Sequence, residues 1–191
     1  MTSWIPRPRR TVRALAPVAL IVAAALLTAG CGGGSKSASD TDQVVQVSAG
    51  TIAKADAIPA PAGDTVLTLE GFGAKNAADG LELSIADLEK MRTVKADVYE
   101  PFLKRRVEFQ GVALKDLLDL AQLPADAKSV FSVAYNEYAV TLPTSILRHP
   151  GVILATRQDG KPIPLDKGGP TRVIFTDDHP DTKNQSLWIW S

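Results

Sequence analysis

The sequence predicts an α+β domain, a mixed or antiparallel β-sheet with short helices packed against it. Three observations lead there. Short runs rich in Val, Ile, Phe and Tyr recur along the second half of the chain, bounded by Gly, Pro, Asn and Asp. One stretch, 112–121, instead repeats its apolar residues at spacings of three and four, which marks an amphipathic helix. Strands and helices do not alternate regularly, so no repeating parallel βαβ unit organises the chain.

The elements follow in order. Val66, Leu67 and Leu69 lead a strand that closes on Gly71-Phe72-Gly73. This GFGAKN stretch is not a dinucleotide fingerprint, because Asn76 stands where the third glycine belongs. Asn76 to Gly80 is a turn, and Leu81 and Leu83 form a short strand. Ser84 then caps a helix carrying Ile85, Leu88 and Met91 on one face. Thr93 to Tyr99 alternates as a strand, Tyr99 to Leu103 is a loop with two aromatics, and Lys104, Arg105 and Arg106 precede a strand that ends at Val107 to Phe109. Gln110-Gly111 is expected as a break where glycine takes a positive φ. The central helix follows with Val112, Leu114, Leu117, Leu118, Leu120 and Ala121 inward, and Pro124 ends it.

Val130 to Tyr135 and Tyr138 to Leu142 read as a hairpin turning at Asn136-Glu137. Ser145 to Arg148 is a helical turn, ended by His149-Pro150. The continuous apolar run Val152 to Ala155 suits a strand covered on both faces, and so does Arg172 to Phe175. Between them lie the turn 158–162 and the glycine-rich loop 165–170. Asp177 to Asp181 is a polar excursion, with His149 and His179 expected on surface loops, and Leu187 to Trp190 is expected as a last strand.

Composition narrows the function. The chain has 191 residues and a formal net charge of 0, which suits one domain plus extras. Four arginines, Arg7, Arg9, Arg10 and Arg13, crowd the start; taking them from the 21 basic residues leaves 17 against 21 acidic, a net of −4. A mildly acidic remainder has no electrostatic footprint for nucleic acid. The basic start, the apolar run Ala14 to Leu27 and the small residues Thr28-Ala29-Gly30-Cys31 have the layout of a secretory signal peptide. Residues 27–31 resemble the bacterial lipoprotein cleavage box, which implies a signal peptide over 1–30, a lipid on Cys31 and an exported, envelope-bound protein. Residues 31–63 are then expected as a flexible tether, within which Val44, Val45 and Val47 suit a short strand, and 64–191 as the folded domain.

Four motifs in fixed order carry a second resemblance: FQGVALKDLL (109–118), YNEYAVTLP (135–143), VILATRQDGKPIP (152–164) and DKGGPTRVIF (166–175). Their order resembles the molybdopterin-binding oxidoreductase domain of the sulfite oxidase type. The ending NQSLWIW (184–190) resembles a small exported branch that includes pterin-binding proteins signalling to cyclic-di-GMP turnover receptors. The resemblance implies a sulfite-oxidase-like fold and a pterin pocket. In the enzymes a cysteine thiolate binds molybdenum from the loop before the central helix or close to it. Here Cys31 is the sole cysteine and 97–111 holds none, so molybdenum chemistry, which wants a soft sulfur ligand, is not expected.

A pterin needs flat apolar walls and a few fixed polar partners. Tyr99, Phe102, Tyr138, Trp188 and Trp190 are the candidate walls. Asn136, Glu137 and Asp159 are candidates to read its edge, and Arg105, Arg157, Lys167 and Arg172 to meet a polar substituent or phosphate. The readings that follow are non-catalytic pterin binding coupled to a membrane receptor, a molybdopterin-dependent oxidoreductase, and an adaptor with a decayed pocket.

Overall fold

The computed structural model describes residues 44–61 and 63–189. They belong to one compact unit, Ser37–Ser191. Ten strands, β1 (Val44–Ser48), β2 (Leu67–Leu69), β3 (Leu81–Leu83), β4 (Thr93–Glu100), β5 (Arg105–Ala113), β6 (Ser129–Val133), β7 (Ala139–Pro143), β8 (Val152–Gln158), β9 (Lys161–Pro162) and β10 (Arg172–Phe175), combine with three helices, α1 (Ile85–Lys90), α2 (Leu114–Leu120) and α3 (Thr144–Leu147). The domain is α+β and mostly sheet.

The main sheet has the order β1-β4-β5-β8-β10, with β9 paired to β8. Every pairing in it is antiparallel. β2-β3 and β6-β7 form separate two-stranded sheets. The alternation read from the sequence places Val94, Ala96 and Val98 on one buried face of β4, opposite Phe109 and Val107 of β5. β8 and β10 are buried on both faces, as their unbroken apolar runs require. Asp177, just past the end of β10, accepts a hydrogen bond from the Tyr99 amide at the far end of β4. β10 and β4 are separated by two strands, so the sheet coils until these two strands approach.

The capping at α1 follows the sequence closely. Ser84 Oγ accepts from the Asp87 amide at 3.2 Å, and Asp87 Oδ2 accepts from the Ser84 amide at 3.0 Å. The α2 helix buries Leu114, Leu117 and Leu118.

Four expectations are corrected. First, Gln110-Gly111 does not break the chain: β5 runs through it to Ala113, with a register shift against β8, and Val112 belongs to the strand. Gly111 is needed for closeness, since a Cβ there would stand 2.0 Å from the Leu154 carbonyl oxygen and 2.6 Å from Ala155 Cα. Second, Val44–Ser48 joins the main sheet through β4, and Ile52 and Ile58 are buried. The packed region therefore takes in residues expected in the tether; residues 31–43 lie outside those described. Third, Leu187 to Ile189 is not a regular strand. Residues 185–187 form a 3₁₀ turn, and the Ile189 carbonyl accepts from the Val173 amide at 2.9 Å. Fourth, His179 is buried at 3 % exposure rather than lying on a surface loop, whereas His149 is half-buried.

Candidate functional site

The β4-β5 hairpin carries the densest group of the expected site residues. Its register sets Glu100 opposite Arg105 and Tyr99 opposite Arg106. Alternation sends Glu100 to the inner face with Val94, Ala96 and Val98, where it is fully buried. A buried carboxylate needs a partner, because losing water costs an ion several kcal/mol (on the order of). Arg172 supplies it: Nη2 donates to Glu100 Oε1 at 2.7 Å, and its side chain is only 2 % exposed. The Leu103 amide donates to Glu100 Oε2. The Arg172 guanidinium lies over the Phe109 ring, 5.5 Å from its centre. Burial pulls the Arg172 pKa down, while the hydrogen bond and charge of Glu100 pull it up.

Exposed charges surround this pair. Arg105 Nη2 donates to Asp159 Oδ2 at 3.0 Å, and Asp159 Oδ1 accepts from the Glu108 amide at 3.3 Å. Arg106 bridges Asp97 and Asp177, the latter at 2.8 Å. Those bonds, first to Asp177 and then to Asp97, raise the Arg106 pKa. Tyr99 and Phe102 stand beside them, 50 % and 41 % exposed. One end of the coiled sheet thus gathers two accessible aromatic faces, carboxylates and guanidinium groups.

The remaining expected residues lie elsewhere. Asn136 and Glu137 form the tip of the β6-β7 hairpin: Asn136 Oδ1 accepts from the Tyr138 amide at 3.1 Å, and Glu137 has φ +67°. The Tyr138 hydroxyl donates to the Ser186 carbonyl at 2.7 Å, tying that tip to the 3₁₀ turn. Trp188 is a core residue, not an open wall; it is 3 % exposed and its indole N–H donates to the Thr182 carbonyl at 3.1 Å. Arg157 is held by Glu89 through two bonds of 2.7 and 3.0 Å, and these raise its pKa. Lys167 is exposed in a 3₁₀ turn, Leu165–Lys167. Trp190 lies outside the described residues. Sequence reasoning missed Glu100, Asp177 and Arg106. For Glu100 the signal was present, since extending the period-two pattern of β4 by one step puts a carboxylate inside.

A second cluster joins α3 to the segment after β10. The rings of His149 and His179 meet edge to face, with centroids 4.5 Å apart. His179 Nδ1 accepts from the Asp181 amide at 3.0 Å, and a further hydrogen bond links His179 to the Ile146 carbonyl. With Nδ1 accepting, the proton sits on Nε2. Burial first, then the nearby His149, hold the His179 pKa below its ordinary value, against opposing pulls from Asp181, Ile146 and Asp178.

The family model described as "oxidoreductase molybdopterin binding domain" matches residues 84–177. The chain carries a molybdopterin-binding oxidoreductase domain. The match runs from the Ser84 cap of α1 to Asp177, and so spans the whole β4-β5 end, the β6-β7 hairpin and Arg172. Comparison with curated proteins gives no match. The match over residues 84–177 raises the question of which group these residues fit. The domain has no cysteine between residues 84 and 177, and its one sulfur there, the Met91 thioether, is buried in the core, so a thiolate-held molybdenum does not fit. Aromatic faces beside carboxylates and guanidinium groups do fit a pterin ring.

Proposed function

We propose that this chain is an exported lipoprotein whose domain binds a pterin without redox catalysis. The gathering of Tyr99, Phe102, Arg105, Asp159 and Arg172 at one end of the sheet, in a matched domain without a cysteine, carries the reading. The ring would lie against Tyr99 and Phe102, and the Asp159 carboxylate would accept from its amino edge in charge-assisted bonds. Arg172, paired with Glu100 on the inner face, would hold the hairpin end in place from beneath. Lipid on Cys31 would hold the domain at the envelope membrane, and occupancy would pass to a membrane receptor with a sulfite-oxidase-like surface as the intermediary.

A rival from another class is favoured by a specific observation. Arg105, Arg157, Arg172 and the Tyr138 hydroxyl already have protein partners, as expected of an adaptor whose pocket has decayed. Calorimetric titration of the purified chain with tetrahydrobiopterin separates the two. Saturable binding that Asp159→Ala weakens at least about tenfold, a change of about 1.4 kcal/mol, supports the pterin reading. No heat at high ligand concentration refutes it and leaves the adaptor.

A further inference from the structure

An apolar cavity of the domain is separate from the β4-β5 end. It measures about 130 Å³ and lies between α2, the β2 strand, the β6-β7 hairpin and the faces of β8 and β10. Leu67, Leu117, Leu142, Leu154, Val173 and Ile189 are among the side chains on its wall. Among the described lining residues only Ser132 and Thr171 carry polar side chains, and none is charged. A pterin, with donors and acceptors along its edge, would leave them unpaired here.

Size and access argue that the space is usable. Well-packed interiors hold few voids larger than a water molecule. An apolar cavity of roughly 150 Å³ stays dry and admits benzene. Val133 lines the space and is also 61 % exposed, so the cavity opens to solvent beside β6. Phe131 and Tyr135, 68 % and 84 % exposed, add apolar surface to the outer side of the same hairpin. Among the described residues that hairpin pairs with no other strand. Its movement would widen the opening without disturbing a larger sheet.

We infer that this cavity is a binding site for a small uncharged apolar group, a ring of benzene size or the end of a hydrocarbon chain. The site is independent of any pterin at the β4-β5 end, so either can fail alone. The test uses the full chain and two probes, toluene for a free ring and decanoate for a chain end, with the thermal unfolding midpoint and two-dimensional NMR of the methyl groups as readouts. Toluene at tenfold excess over its Kd should raise the midpoint by roughly 3–6 °C and shift Leu117, Leu142 and Leu154 methyl signals. A matching effect of decanoate assigns the site to chain ends, and its absence assigns the site to rings. Val133→Trp, at an exposed position that folding tolerates, should close the opening and abolish the effect. Leu142→Phe should fill the cavity and do the same. If neither probe shifts those methyls, or if both variants bind as the parent does, the inference is overturned.

Discussion

Replacing Arg172 with methionine tests the interior of the site most sharply. The change keeps an unbranched apolar stem, shortens the side chain and removes its charge and its donors. Glu100, fully buried, would keep only the Leu103 amide as a donor. Breaking a buried pair from one side costs about 3–5 kcal/mol, because the remaining charge is neither hydrated nor paired. For a chain of this size each kcal/mol moves the unfolding midpoint by about 2–4 °C, so a fall of roughly 6–20 °C is expected. Glu100→Gln together with Arg172→Met removes both charges while leaving an acceptor for the Leu103 amide. That double variant should recover more than half of the loss. Urea unfolding of the parent, the two single variants and the double gives the coupling directly. A single-variant loss below about 1 kcal/mol, the range of exposed pairs, would refute the claim of a desolvated pair. So would a double variant as unstable as the sum of the singles.

Two further outcomes follow from other parts of the fold. His179 has a folded pKa below its ordinary value near 6.5, so the unfolded chain binds the proton more readily. Stability should be full above about pH 6.5 and decline as pH falls through the folded value. His179→Gln should flatten that part of the urea midpoint–pH profile; an unchanged slope would contradict the buried neutral imidazole. Gly111→Ala would press a methyl group into the β8 backbone, which cannot yield like a side-chain end. A loss of at least about 3 kcal/mol is expected by calorimetry, and a change within about 0.5 kcal/mol would show that β5 and β8 are not so close.

Much of the architecture was legible because period and composition act locally. The β4 alternation, the paired runs of β6 and β7, the covered β8 and β10 and the Ser84 cap all follow from which side chains can be buried or satisfied nearby. Gly111 was read as a turn glycine because a local rule cannot see another strand's carbonyl approaching within 2.0 Å of an added Cβ. Val44, Val45 and Val47 were legible as a short strand, but Val44–Ser48 is mostly exposed and nothing local shows its pairing to β4, so it was placed within the tether. In the candidate site, Arg105 and Asp159 were chosen as residue types and form an ion pair, while Tyr99 stands opposite Arg106. Asn136 and Glu137 were chosen by the same logic and sit at another hairpin tip. Glu100 was passed over as a loop residue, although its position on the strand face already placed it inside. Trp188 shows the converse, an aromatic suited to a ligand wall that instead fills the core.

The central claim is that this domain holds a pterin without molybdenum. The most direct test is mass spectrometry and metal analysis of the full chain purified from the cells that make it. The account requires a co-purifying pterin with molybdenum far below one per chain, lost in a Tyr99→Ala, Asp159→Ala variant that remains folded. Molybdenum near one per chain with a phosphorylated pterin would contradict it, because the metal would then be held without the thiolate that its chemistry favours.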